Sequence, residues 1–155
     1  MTEKPRGEYK TILFPTDFSN PSEGARDEAV ALARRYGGRL LVLHVVETTA
    51  SAEVDQELQS FFRTLVKRAE RSFDRFLPPP LLEGIAAERL TRTGVPVSEI
   101  LAVVAERNAD LVVIGSHGLS GVARGPFGSV AQKVSLLSPC PVLIVKPRPF
   151  TSDIP

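Results

Sequence analysis

The chain has 155 residues, 43% hydrophobic and 24% charged, a composition that sustains one buried core and excludes a disordered polypeptide. Nineteen basic residues nearly balance eighteen acidic ones, for a net charge of +1, which lacks the basic footprint of a nucleic-acid binder. A single cysteine excludes an internal disulfide, and no apolar run approaches the roughly 20 residues that span a bilayer.

Residues 1–9 read as a polar tail without the apolar stretch of a signal peptide, so the expected location is the cytoplasm. Thr11-Ile12-Leu13-Phe14 is a short uninterrupted apolar run, the pattern of a strand covered on both faces. A helix follows. Asn20 is its expected cap, Pro21 suits the first helical position, and Glu23 sits beside the positive end of the dipole. Ala25, Ala29, Leu32 and Tyr36 form one helical stripe, and Gly37-Gly38 supplies the stop. Leu40 to Val46 is the second strand. The second helix runs from Val54 to Leu77, with Val54, Leu58, Phe61, Leu65 and Ala69 inward, and Pro78-Pro79-Pro80 ends it. Its Lys67, Arg68, Arg71 and Arg75, interleaved with Glu70 and Asp74, read as a solvated face.

A weaker edge strand lies within Ile85 to Leu90. The third helix starts near Pro96, turns Ile100, Val103 and Val104 inward and stops by Asn108. The fourth strand is Leu111 to Ile114. After it come Gly115-Ser116-His117-Gly118, nine residues, and Gly128-Ser129-Val130, which opens a helix carrying Val130, Val134 and Leu137. Pro139 closes that helix. Cys140, between two prolines, reads as a small buried thiol rather than a nucleophile. Val142 to Val145 is the last strand, and residues 148–155 form a second tail.

Strands alternate with helices throughout, so residues 10–147 constitute one α/β domain, a three-layer αβα sandwich. Right-handed crossovers give five parallel strands in the order 3-2-1-4-5. The chain then reverses direction between strands one and four, and open α/β sheets bind ligands outside the carboxyl ends of the strands at such a point. Pro15, Thr16 and Asp17 follow the first strand; Ile114 and Gly115 end the fourth. Two segments far apart in sequence therefore meet at one crevice. A helix start leaves backbone N–H groups without partners and carries partial positive charge, and glycines ahead of it let the chain approach a ligand closely. Together they form a phosphate cradle, or else an ordinary turn with a cap at Ser129.

Individual residues carry alternatives. Asp17 suits a ribose hydroxyl or an adenine amino group, and equally an Asx turn before the helix. Val45 and Val46 offer apolar and main-chain contact to a base while also packing the core. His44 lies in an apolar strand without Cys or carboxylate at metal-ligand spacing, so no metal site is expected. His117 and Arg124 are placed to touch a phosphate or to face solvent.

Sharper motifs fail. No GxxxxGK[ST] occurs, and the turn after strand one has no glycine until Gly24, which removes the dinucleotide fingerprint. A phosphoacceptor domain needs an aspartate after strand three, whereas Thr91-Arg92-Thr93-Gly94 has no carboxylate. A flavin site would want aromatic residues, and only Phe18 and Phe127 fall in the crevice loops.

From Lys10 to Pro147 the chain resembles the universal stress protein family, ATP-binding branch. The resemblance rests on Ile12-Leu13-Phe14-Pro15-Thr16-Asp17-Phe18-Ser19, Leu43-His44-Val45-Val46, Ala109 to Gly118, and Gly128-Ser129-Val130 with Cys140 to Val145; the G-x2-G-x9-G-[S/T] spacing is complete. It implies an adenine nucleotide alpha hydrolase-like fold. Asp17 and Val45 would hold adenine and ribose beside Gly115. Gly118, Gly128, Ser129 and Val130 would hold the phosphates of ATP, with Mg²⁺ or Mn²⁺ carried by those phosphates. It further implies a homodimer through Val142, Leu143, Ile144 and Val145, and a signalling role without efficient catalysis, a slow ATPase or autokinase and a nucleotide-free interaction module being the alternatives. Gly125-Pro126-Phe127 departs from the family's apolar helical turn, so the fourth helix is expected to begin late or at another angle.

Overall fold

Continuous apolar runs make sense only as strands with helices on both sides, and the computed structural model, which describes residues 7–48, 56–117 and 128–147, has that arrangement. In chain order the elements are β1 (Thr11–Pro15), α1 (Glu23–Tyr36), β2 (Arg39–Glu47), α2 (Gln56–Phe76), β3 (Ala86–Gly94), α3 (Pro96–Arg107), β4 (Leu111–Gly115), α4 (Ser129–Leu137) and β5 (Val142–Val145), with short 3₁₀ turns at Asn20–Ser22 and Pro79–Leu82. All described strand pairs are parallel, and the order is β3-β2-β1-β4-β5.

Strand alternation divides the core in two. Ile12, Phe14, Leu40, Val42, Leu111 and Val113 pack with Ala25, Ala29, Ala33, Ala69, Phe73 and Phe76 of α1 and α2. Leu13, Leu41, Leu43, Val112 and Ile114 pack on the other face with Ile100, Val103, Val104, Ala131 and Val134 of α3 and α4. The result is the three-layer αβα sandwich expected from the sequence. At the edge away from the strands' carboxyl ends, Asp110 Oδ2 accepts the backbone N–H groups of Lys10 and Thr11 at 3.0 and 2.8 Å.

Several local expectations are corrected. Asn20 does not cap α1: the chain enters through a 3₁₀ turn with Ser19 at its N-cap position, and Ser22 stands at that of the α-helix, neither making a side-chain capping bond. The buried stripe of α1 is Ala25, Ala29, Val30 and Ala33, with Leu32 and Tyr36 only half-buried, because small residues let the helix lie close on the sheet. Of the residues expected inward on α2, Val54 lies outside the described residues, Leu58 and Leu65 are half-buried, and Phe61 is 55% exposed. Ala69 is buried as expected, and the helix adds Phe73 and Phe76 in its last turns. Leu137 of α4 is 62% exposed, and Cys140 is half-buried beside the Ser138 hydroxyl.

β3 is longer than the sequence pattern suggests. Residues Thr91 to Gly94 belong to the strand rather than to the turn beyond it, paired with His44 to Glu47 in unbroken register. Gly37 stops α1 with φ 60°, a left-handed turn that glycine takes without strain. At Gly38 the constraint is space, since a Cβ there would stand 2.5 Å from the Tyr9 carbonyl oxygen.

Candidate functional site

The turn leaving β1 is built from short polar side chains. The Thr16 amide donates to the Leu43 carbonyl at 2.8 Å, which carries the β1–β2 pairing one step past the strand. Its hydroxyl accepts the Phe18 amide at 3.0 Å and meets the Ser22 hydroxyl at 3.0 Å, while Ser22 Oγ donates to the Ser19 carbonyl at 2.9 Å. Because the Ser22 proton is engaged with Ser19, Thr16 supplies the proton between the two hydroxyls. Asp17 Oδ1 accepts the Ser19 amide at 3.0 Å, the Asx turn that the sequence allowed. The same Asp17 lines a cleft, so the turn and a place on the cleft wall coexist.

Phe18 takes φ 63°, a left-handed conformation that is rare for a bulky residue. Its ring rests on His44 at 4.5 Å and meets Phe73 and Phe76 at 4.8 and 5.9 Å. His44 Nδ1 stands 2.9 Å from the Thr16 carbonyl oxygen. A carbonyl only accepts, so Nδ1 carries the proton.

Across the cleft, the Ser116 amide donates to the Val145 carbonyl at 2.9 Å, and the fully buried Ser116 hydroxyl lies 2.9 Å from His117 Nδ1. His117 Nε2 is buried and has no hydrogen-bond partner among the described residues. The chain returns at Gly128, whose N–H donates to the Ser116 carbonyl at 2.5 Å. That bond corrects one expectation: the Gly128 amide closes the loop and is not available to a phosphate. Gly128 then caps α4, and the first intrahelical bond runs from Gln132 N–H to the Gly128 carbonyl at 3.0 Å. The amides of Ser129, Val130 and Ala131 precede it and are the helix's outward-facing donors.

The two glycines act differently from each other. A Cβ on Gly128 would stand 3.1 Å from the Ser116 carbonyl oxygen, too tight for backbone that cannot swing aside. On Gly115 the nearest atoms would lie at 3.5 and 3.6 Å, ordinary contact distances. Neither glycine has positive φ, so at these two positions the missing side chain matters rather than the backbone angle.

These segments enclose a cleft of 780 Å³ at the carboxyl ends of the strands. Pro15, Thr16, Asp17, Val45, Ile114, Gly115, His117, Gly128, Ser129 and Val130 all line it. Gly118, Arg124 and Gly125-Pro126-Phe127 lie outside the described residues. The cleft also takes in Ser22, His44, Glu47 and Arg68, which sequence reasoning did not assign to it. Arg68 had a signal: Leu65, Arg68, Ala69 and Ser72 recur at i, i+3, i+4 and i+7, one helical face. Asp17 and Glu47 are the carboxylates of the described lining, and no group of three His, Cys, Asp or Glu able to hold a metal occurs among the described residues. No helix among them is long and apolar enough to cross a membrane.

The same five-stranded architecture recurs in proteins already known. The chain matches the Universal stress protein family over residues 8–146. It is 35% identical over 147 residues to Universal stress protein YxiE of Bacillus subtilis, an alignment covering 89% of this chain and 99% of that protein. Among solved structures it resembles hypothetical protein MJ0577 with a TM-score of 0.83 and 26% identity, covering 92% of this chain and 99% of the other. A universal stress protein solved in complex with cAMP has a TM-score of 0.61 and 27% identity, with 92% and 100% coverage. The chain belongs to the universal stress protein family.

Proposed function

We propose that residues 10–147 act as an ATP-binding stress-response module that signals through a homodimer, without efficient turnover. One observation carries this reading. The cleft joins the β1 turn to the α4 N-terminus, and it presents a carboxylate, Asp17, at one end and helix amides at the other. That polarity suits a nucleotide, whose sugar and base offer donors and whose phosphates need them. Asp17 and Val45 take the nucleoside, with Pro15, Thr16, Ile114 and Gly115 shaping its seat. Ser129 and Val130 amides, the Ser129 hydroxyl and His117 take the phosphates, and Gly118 and Arg124 complete that end. The cAMP complex of a relative supports the adenine nucleotide class. A divalent ion, Mg²⁺ or Mn²⁺, enters with the phosphates, because the described lining offers no ligand cluster of its own.

Isothermal titration of ATP, AMP and cyclic AMP tests the reading. Micromolar affinity for ATP, dependent on Mg²⁺ and reduced about tenfold or more in Gly128→Val, is the expected result. Equal ATP retention by wild type and variant sinks it.

A second reading, slow phosphoryl transfer, has the Ser116–His117 contact and the unpartnered His117 Nε2 in its favour. Saturable ADP release that His117→Ala abolishes would establish it.

A further inference from the structure

The cleft is wider than the nucleotide seat just proposed. It continues past the end of β2 onto α2, where Leu65, Arg68, Ala69 and Ser72 form its outer wall. Ala69 is buried on the sheet, which fixes the rotation of the helix and turns its neighbours at 65, 68 and 72 to the cleft. Ser72 cannot serve as a donor there without breaking a bond, because its hydroxyl already donates to the Arg68 carbonyl at 3.1 Å. Arg68 is the one arginine of the described lining. The ion pairs among the described residues engage Arg26, Arg39, Arg89, Arg92 and Arg107, and leave its guanidinium unpaired.

Sheet order settles which end of a ligand it meets. α2 joins β2 to β3, whereas α4 joins β4 to β5 on the opposite face. The two helices therefore stand at diagonally opposed corners of the cleft. A nucleotide whose phosphates rest on the α4 amides points its base toward Val45, Val46 and α2. At that corner Arg68 meets a planar ring, not a phosphate.

We infer that Arg68 is a base-recognition residue, its guanidinium laid on the face of the nucleobase, an inference that rests on the nucleotide-binding reading above. A guanidinium is flat and weakly hydrated and stacks on π-faces, which an ammonium does poorly. The contact selects for ligands that carry a base over bare sugar phosphates.

The test compares AMP with ribose 5-phosphate on the full chain, by titration calorimetry for AMP and by NMR shifts for the weaker sugar phosphate. Arg68→Ala is expected to weaken AMP about five- to thirtyfold and to leave ribose 5-phosphate unchanged, with Arg68→Lys failing to restore AMP affinity. Thermal melting of both variants checks that the exposed position does not affect folding. Equal loss for both ligands, rescued by lysine, would make Arg68 a phosphate counter-charge and overturn the inference. So would unchanged AMP binding in Arg68→Ala. Wild-type protein that binds neither ligand would overturn the nucleotide reading itself, a separate and recognisable failure.

Discussion

His44 on β2 donates from Nδ1 to the Thr16 carbonyl, 2.9 Å away, and so ties the strand to the turn that presents Asp17. No second hydrogen bond to that carbonyl is needed to explain the turn's shape, since Thr16 Oγ1 and Ser22 Oγ hold its far side. Removing the imidazole leaves a sheltered carbonyl unpaired and Phe18 without one of its ring neighbours. His44→Ala is expected to lower stability by about 1–3 kcal/mol. Urea unfolding with an unchanged m value would register this as a shift in midpoint, and ATP affinity should fall with it.

Gly128 and Gly115 should part company under the same substitution. Gly128→Ala pushes a Cβ to 3.1 Å from the Ser116 carbonyl, which is backbone and fixed by the loop's closing bond. A cost of about 1–3 kcal/mol is expected, together with weaker nucleotide binding. Gly115→Ala meets only ordinary contacts and should change stability by about 0.5 kcal/mol or less. Parallel thermal melts of the two variants decide it; similar losses would show that both glycines answer to the same constraint.

The edge strand β3 carries a charge ladder with a pH signature. Glu88 accepts from Arg107 through both carboxylate oxygens and from Arg39 Nη2 at 2.7 Å. Hydrogen bonding from Arg107, followed by the nearby charges of Arg107 and Arg39, holds the Glu88 carboxyl below its ordinary value of 4.5. A depressed folded pKa means that the stabilisation is fully present above the unfolded value and disappears as pH falls through the folded one. Glu106 behaves likewise beside Arg92. Acid unfolding followed by circular dichroism should therefore steepen below about pH 4.5. Glu88→Gln should flatten that limb while leaving the neutral-pH side nearly parallel to wild type. High salt should have the same effect, since these pairs are partly exposed.

β5 hydrogen-bonds β4 on one side, and Leu143 on it is 38% exposed. An apolar edge of this kind invites pairing. If the proposed homodimer forms there, Leu143→Arg should convert it to monomer in sedimentation velocity at micromolar concentration. A dimer that survives the substitution must use another face.

Much of this architecture was readable because burial leaves a signature. Leu40 to Leu43 and Leu111 to Ile114 are apolar without alternation since helices cover both sides of the sheet, and that alone implies parallel strands and their crossovers. The carboxyl-end crevice followed from strand order. What escaped depends on contacts between segments distant in sequence. Thr91 to Gly94 looked like a turn because its neighbours are polar, yet β2 supplies nine residues of register to pair with. Phe61 fits a helical stripe but sits on the first half of α2, where no residue is fully buried. No pattern in the sequence announces that the Gly128 amide is engaged by Ser116, or that His44 serves a carbonyl rather than a core neighbour.

The backbone of Phe18 has a mechanical meaning. A phenylalanine holding φ 63° would relax to the common side of conformational space if released, and three rings, one on β2 and two on α2, hold it in place. One wall of the cleft is thus latched to α2. A displacement of that helix must either carry the latch along or release it, so Phe18 is the point at which α2 and the β1 turn move together or come apart.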